Sequence, residues 1–427
     1  MRVWVESYGC AQSHGEGASI ARDLAAHGHP AAGAPETADV AVLVTCGVIG
    51  ATEARMTRRW EALVAAVPRV VVTGCLVPLG VDGFRGPGRA RTTFVPIREQ
   101  PHLPALIGSA VDRSPLPDDS AAPVSVAKEI VIAQGCTSGC TYCYSRLARG
   151  PLTSVPTPEV VARSRAALAR GARELRLTGL DSAAWGRDLP DRPDLGALVR
   201  AVTELDGDFR VRVGMLSPQT LGPILDRYLD ALADPKVYRF VHLPVQSGSD
   251  AVLAGMHRGY SVDAFHRQVE RIRARFPDVH LATDVIVGFP GETDADHRAT
   301  EALLAEVGPE TVNVTRYSPR PGTPAAHRAP VASRVAKERS RSLTHLRQRI
   351  ARGRLERWIG RTERARIVEH GPGGSAVGRL DNYLPVVLGD RPALGAEIVV
   401  RVDGARATYL LGRPTPEEGS NTRPSQL

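Results

Sequence analysis

Short runs of β-branched residues alternate with longer amphipathic stretches from the start of this chain to about residue 330. Val3-Trp4-Val5, Val40–Val44 and Val70–Val72 are apolar without interruption, as strands buried on both faces of a parallel sheet are. Helical patterns over Gly17–His27 and Ala51–Val67 separate them. This alternation predicts an α/β unit, a doubly wound parallel sheet, over residues 1–111. Asp112–Ser125 is rich in Pro, Asp and Ser and predicts a linker, extending to residue 128.

A second alternating series opens at Glu129. Its strand candidates are Ile130–Ala133, Leu175–Thr178, Arg210–Val213, Phe240–Leu243, Leu281–Val287 and Val312–Thr315. Six βα units in succession predict a parallel barrel over 129–330, complete or partial. A basic helical connector is expected over 331–358. Beyond it the texture changes to short strands and turns: Ala365–Glu369, Ala376–Arg379, Leu384–Leu388, Ile398–Val402 and Thr408–Leu411. A small antiparallel β-barrel over 359–413 is the expectation, a fold that often handles nucleic acid. Residues 414–427 are Pro-rich and polar, and a disordered tail is expected there.

Composition narrows the class. The chain has 427 residues, 43% of them hydrophobic, enough for real cores, so wholesale disorder is excluded. No apolar run approaches the ~18–20 residues of a membrane span. The opening Met1-Arg2-Val3-Trp4-Val5-Glu6 lacks the design of a signal peptide, so a cytoplasmic protein, a monomer without membrane contact, is expected.

The net charge of +8 is unevenly placed: between Arg334 and Arg366 twelve Lys and Arg face three Glu, a local +9. One segment therefore carries the whole excess. That is either an electrostatic footprint for a polyanion or a solvated helix face. Arg347, Arg349, Arg352 and Arg354 are its best phosphate candidates.

The six cysteines form two sets. Cys136-Thr-Ser-Gly-Cys140-Thr-Tyr-Cys143 follows the first strand of the second series, and three thiolates within eight residues can grip one iron–sulfur cluster. Zinc would want a fourth ligand, and no His lies close in sequence. Three ligands on a four-iron cluster leave one iron open. Cys10, Cys46 and Cys75 each fall at or just past the C-terminal end of a strand candidate. In a parallel sheet those ends share one edge, so the three thiols can converge, with Gly9 and Gly74 permitting close backbone approach. Chance burial of three thiols is the alternative.

The spacing Cys-x3-Cys-x2-Cys, with an aromatic before the last Cys, resembles the signature of radical S-adenosylmethionine (SAM) enzymes. The resemblance implies that SAM binds the open iron and that one electron splits it to a 5′-deoxyadenosyl radical, with Tyr142 near the adenine. Together the two triplets resemble the radical SAM methylthiotransferases, in which a second iron–sulfur cluster sits on three N-terminal Cys.

The likeness is greatest to the archaeal and eukaryotic tRNA branch, and rests on long polar runs. They are Ala148-Arg149-Gly150-Pro151-Leu152, Leu177–Asp181 continuing to Trp185–Asp188, Arg212–Met215, His242–Asp250, Thr283–Thr293 and Tyr317–Pro324. The closing domain, with Asp381-Asn382-Tyr383 and Thr408–Gly412, is similar to the RNA-binding TRAM domain.

The family implies two SAM molecules, one methylating a sulfur at the N-terminal cluster and one supplying the radical. It also implies transfer of the methylthio group to C2 of N6-threonylcarbamoyladenosine beside the tRNA anticodon. An external electron donor such as flavodoxin or ferredoxin is implied as well. A bond that inert needs a radical, and no acid–base pair here replaces one. The same chemistry on a protein side chain or metabolite is a second reading, and a non-catalytic iron–sulfur RNA-binding protein a third.

Asp181, and Gln246 with Ser247, end strands on the expected active face, as SAM contacts or as local caps. His242 is read first as a core histidine. Arg316 and Arg320 flank the last strand end and could meet phosphate or the SAM carboxylate. Thr293 is expected near a helix cap. The chain departs from many relatives at Ser13, where Asn is frequent, at Val44-Thr45, where Asn precedes Ser or Thr, and at Leu180, where an acidic residue is frequent. The first two positions border the N-terminal cysteines, and Leu180 lies in the run after Thr178.

Overall fold

The structure, a computed structural model, describes residues 1–47, 50–79, 84–108 and 125–415. Most of the expected linker and nearly all of the expected tail lie outside the described residues.

The first unit runs β1 (Val3–Ser7), α1 (Ala11–Ala26), β2 (Val40–Thr45), α2 (Gly50–Ala66), β3 (Arg69–Gly74), β4 (Thr92–Val95) and α3 (Leu103–Ile107). Its four strands lie in sequence order, all parallel. Every residue of β2 is buried, and alternate side chains serve two cores. Val40, Val42 and Val44 pack with Ile20, Leu24 and Ile107 on one face, and Ala41 and Leu43 with Met56, Trp60 and Leu63 on the other.

Helix α1 starts at Ala11, earlier than the periodicity predicts. Its first turns are polar, yet Gln12, Ser13 and Glu16 are buried, because this side of α1 packs on the next unit rather than on water.

The central unit runs β5 (Ala127–Val131), β6 (Ala133–Gln134), α4 (Tyr144–Arg149), β7 (Thr153–Ser154), α5 (Thr157–Ala169), β8 (Glu174–Thr178), α6 (Leu195–Thr203) and β9 (Arg210–Val213). It continues through α7 (Pro218–Leu221), α8 (Leu225–Leu232), β10 (Phe240–His242), α9 (Asp250–Gly255), α10 (Val262–Arg275), β11 (His280–Val287), α11 (Asp294–Val307) and β12 (Thr311–Arg316). Strands β5-β8-β9 and β10-β11-β12 form two parallel arcs, joined by a bridge between Val211 and Val237. Together they make a partial barrel with one continuous core under its helices. Thr293 caps α11 through a capping box with Asp296.

Helix α12 (Ser333–Glu356) lies against β12 and α11 and buries Leu343, Ala351 and Leu355. The last unit, β13 (Thr362–His370), β14 (Ala376–Leu380), β15 (Pro385–Leu388), β16 (Glu397–Ala405) and β17 (Leu410–Pro414), is a closed barrel. Four of its pairings are antiparallel, whereas β15 and β17 pair in parallel.

Candidate functional site

The Cys136–Cys143 loop leaves β6 at the C-terminal mouth of the partial barrel, where ligands of such folds bind. It is held from outside: Thr141 N donates to Met256 O at 3.0 Å and Thr141 Oγ1 to Gly255 O at 2.9 Å. The three thiols sense one another, Cys136 the charge of Cys143, and Cys143 that of Cys140. Burial raises the pKa of both Cys136 and Cys143, which keeps them protonated unless a metal takes the proton's place. Arg258 Nη1 donates to Cys140 Sγ at 3.2 Å, and Ser138 N to Cys136 Sγ at 3.3 Å.

Cys10, Cys46 and Cys75 also come together. Cys10 caps the N-terminus of α1, exposed, while Cys46 and Cys75 sit buried just past β2 and β3. Gly9, at φ +116°, lies so close to Cys46 that an added Cβ would stand 2.5 Å from its Cβ. Gly74, at φ +97°, would meet Thr45 O at 2.4 Å in the same way. Cys75 feels the charge of Cys10, and burial pushes its thiol up to about 11.

Ser13, and Thr45 beside the departing Val44, border this triad. Ser13 Oγ is 3.6 Å from Cys10 Sγ, and Thr45 Oγ1 donates to Thr73 O at 2.6 Å while accepting from Leu76 N at 3.2 Å.

Both triads present three thiols each, all at least partly buried except the exposed Cys10, a donor set that fits an iron–sulfur cluster. Among the described residues no three Cys, His, Asp or Glu close on a point suited to one ion. A cubane holds its thiolates at separate iron corners, further apart than around a single zinc.

The candidate SAM residues divide. Tyr142, within the loop, packs edge-on to Phe289, ring centroids 6.5 Å apart, in a small apolar cluster with Met256 and Ile286. Asp181, almost fully buried, accepts from Ser217 N at 3.0 Å and Thr220 Oγ1 at 2.7 Å, and its charge reaches Cys136. Burial raises its pKa against those hydrogen bonds. Gln246 holds φ +69°, strain unusual for a long side chain, between backbone bonds to Asp284 O (2.8 Å) and from Ile286 N (2.9 Å). Ser247 is not brought into this group, since its Oγ faces Thr300 and Ser249.

His242 Nε2 pairs with Asp284 Oδ1 at 2.9 Å, and Asn313 Nδ2 donates to the same oxygen at 2.7 Å. Arg320 pairs with Glu53 of α2 at 2.7 Å, so it ties the central unit to the first.

The basic segment is largely spent on structure. Arg339 pairs with Glu292 and Asp294, Arg366 with Asp208 and Glu397, and Arg361 with Asp278. Of the four phosphate candidates, Arg354 Nε donates to Glu310 Oε1 at 2.5 Å and Arg347 Nη1 to Val312 O at 3.0 Å. Arg349 and Arg352 are exposed, with no hydrogen bond or ion pair among the described residues. Arg349 borders a shallow groove of about 410 Å³ between α11 and α12.

Three regions of the chain match known families: residues 2–82 the uncharacterized protein family UPF0004, 130–304 the Radical SAM superfamily and 356–415 the TRAM domain. A probable threonylcarbamoyladenosine tRNA methylthiotransferase of Pyrococcus horikoshii is 35% identical over 96% of this chain and 99% of its own length. The chain belongs to the radical SAM methylthiotransferase family.

The threonylcarbamoyladenosine tRNA methylthiotransferase of Xenopus laevis is 34% identical over 81% of this chain and 65% of its own. A tRNA-2-methylthio-N(6)-dimethylallyladenosine synthase of Chloroflexus aurantiacus is 33% identical over 99% of this chain and 93% of its own. Among solved structures, the radical SAM methyltransferase TsrM of Kitasatospora setae shares the fold, with a TM-score of 0.55 at 14% identity over 76% of each chain.

Membership makes the protein an enzyme of the radical SAM class, for which a 4Fe-4S cluster and SAM are the cofactors. Among the described residues of this methylthiotransferase no helix is long and apolar enough to cross a membrane. Sequence reasoning missed Arg258, Glu16, Gln12 and Gln134 around the cysteines. Arg149 was visible only as part of a motif run, and Arg258 lies 118 residues from the thiol it touches.

Proposed function

We propose that this enzyme inserts a methylthio group at C2 of N6-threonylcarbamoyladenosine in tRNA, consuming two SAM molecules. The observation that carries the reading is the pairing of two all-thiol triads across one short helix, α4, in a chain with the family's three regions. Cys136, Cys140 and Cys143 would hold the SAM-binding 4Fe-4S cluster, and Cys10, Cys46 and Cys75 the auxiliary one. When bound, these groups with SAM supply a carbon radical to remove the C2 hydrogen and a methylated sulfur to replace it.

The chain's own residues bind and orient. Asp181 fixes the turn from β9 into α7 beside Cys136, Tyr142 offers an apolar flank for the adenine of SAM, and Gln246 stands at a strained backbone position past β10, bridged to Val285 of β11. Arg349 and Arg352 are the exposed cations suited to tRNA phosphates. The reaction draws electrons from outside, for which a flavodoxin or ferredoxin is suited, and a tRNA substrate suits an enzyme of the cytoplasm.

The test is nucleoside mass spectrometry of tRNA from cells with and without the gene. Loss of 2-methylthio-N6-threonylcarbamoyladenosine, with its precursor accumulating, is expected, and an unchanged profile overturns the tRNA assignment. The Chloroflexus relative favours one other reading, dimethylallyladenosine as the target. Loss of that nucleoside's methylthio form instead would select it.

A further inference from the structure

The two triads are connected by a single rigid element. Cys143 is the N-cap of α4, and Arg149 is the last residue of that helix. Six residues of α-helix rise about 9 Å. At the near end Tyr144 already lies within the electrostatic reach of Cys75, and its hydroxyl is buried with no hydrogen-bond partner among the described residues. At the far end the Arg149 side chain is 0% exposed and its charge reaches both Cys75 and Cys10. That charge works against the burial that raises the Cys75 thiol.

Arg149 is held by a partner on the other unit. Its guanidinium forks onto Glu16 of α1, which is 3% exposed, with Nη2 to Oε2 at 3.0 Å and Nη1 bonded to Oε1. Nη1 also donates to Gln134 Oε1 at 2.9 Å, and Gln134 Nε2 to Glu16 Oε1 at 2.7 Å. Gln12 Nε2 completes the set by donating to Gln134 Oε1 at 2.7 Å. Glu16 stands six residues past Cys10 on the helix that Cys10 caps, so the network locks one triad's helix to the other triad's helix.

From this we infer that Arg149 is a positioning residue for the N-terminal triad. It sets the separation of the two triads through α4, and it supplies the buried positive charge that three clustered thiolates need. The inference rests on the two-cluster reading above. Glu16 opposes it at Cys75, as a counter-charge that orients the fork and moderates its field.

The test uses the full-length protein, reconstituted anaerobically, with two readouts. The first is the midpoint potential and EPR signal of the N-terminal cluster, measured in a background carrying Cys136→Ala, Cys140→Ala and Cys143→Ala. Arg149→Met is expected to move that potential negative and Glu16→Gln to move it positive, with Arg149→Lys between Arg149→Met and wild type. A merely structural role would not produce shifts of opposite sign. The second is the yield of methylthiolated tRNA per 5′-deoxyadenosine formed, measured with all six cysteines present. Arg149→Met should keep 5′-deoxyadenosine formation and lower that ratio by at least about tenfold.

Unchanged potential and unchanged ratio in Arg149→Met and Glu16→Gln overturn the inference. If Arg149→Met does not fold, Arg149→Lys and Glu16→Gln decide it by the same readouts. If the wild type forms 5′-deoxyadenosine but leaves tRNA unmodified, the substrate reading falls, and the potential shifts still decide this inference.

Discussion

The Tyr383 hydroxyl donates to Glu174 Oε1 at 3.1 Å, joining the tip of the C-terminal barrel's β14–β15 turn to the floor of the radical SAM barrel. Glu174 is wholly buried at the start of β8, and it also accepts from Arg176 Nε at 2.6 Å and Tyr238 Oη at 3.3 Å. The Tyr383 ring fills the space beneath: Arg379 lies 4.5 Å and Arg212 5.4 Å from its centroid, with Tyr238 and Phe240 at 4.9 and 5.2 Å. Its neighbours dock too. Asp381 pairs with Arg210 at 2.6 Å, and Asn382 Nδ2 donates to Asp278 O at 2.9 Å. Tyr383 keeps φ +71°, an outlier for a bulky residue, because contacts on every side hold it there.

This plug predicts a graded response. Tyr383→Ala leaves a cavity among two guanidiniums and two rings and should cost about 3–5 kcal/mol. Tyr383→Phe removes one of three donors to Glu174 and should cost about 1 kcal/mol. Urea denaturation of both variants checks the order, and limited proteolysis should cut Tyr383→Ala first near residue 360, as the C-terminal barrel loosens.

Beside the plug, His280 is buried against Phe240, Arg212 and Arg379, and burial and those two charges lower its pKa to about 3. The unfolded chain takes up that proton near pH 6.5 and the folded chain does not. Stability should therefore be lost as pH falls from about 6.5 toward 3, by up to about 1.4 kcal/mol per pH unit. Urea midpoints measured across that range should flatten in His280→Gln relative to wild type. An equally steep loss in the variant would assign the acid sensitivity to other groups.

Much of this architecture is legible in the sequence, for physical reasons that also mark where legibility stops. Uninterrupted apolar runs such as Val40–Val44, bounded by turns, suit strands covered on both faces, so the parallel sheets follow from them. The cysteine spacing likewise points to shared sites, because strand ends of a parallel sheet lie on one edge. Contacts across units leave no periodic trace. Gln12 and Glu16 precede the helical pattern that begins at Gly17, yet are buried, and Arg258 touches Cys140 from a segment with no motif. The +9 segment shows the same limit. Charge counted along the chain ignores Asp208, Asp278, Glu292 and Glu310, which neutralise it from elsewhere.

Arg258 carries a prediction of its own. Its guanidinium donates to Cys140 Sγ, stacks 5.1 Å from the Tyr260 ring, and bonds Tyr260 Oη at 3.1 Å. A charge-assisted bond to a cluster thiolate favours the reduced, more negative state. Arg258→Met should lower the midpoint potential of the Cys136/Cys140/Cys143 cluster and slow 5′-deoxyadenosine formation by about 10–100-fold. Arg258→Lys, which keeps the charge and loses the planar fork, should recover part of both. Voltammetry of a background carrying Cys10→Ala, Cys46→Ala and Cys75→Ala isolates the signal.

The four arginines of α12 should separate by what they already touch. Arg354 is committed to Glu310, a buried carboxylate that also lies 3.7 Å from Arg273. Removing Arg354 leaves that carboxylate one donor short, so Arg354→Gln should lower stability more than it lowers RNA affinity. Arg349 and Arg352 are exposed, three residues apart on one helix, and have no acceptor among the described residues to lose. Arg349→Gln and Arg352→Gln should leave the urea midpoint unchanged and weaken tRNA binding in a salt-dependent way. Each lost phosphate contact should reduce the slope of log affinity against log salt by about 1. Anisotropy titrations of labelled tRNA over several salt concentrations measure that slope directly. Slopes equal to wild type in both variants would move the RNA surface off α12.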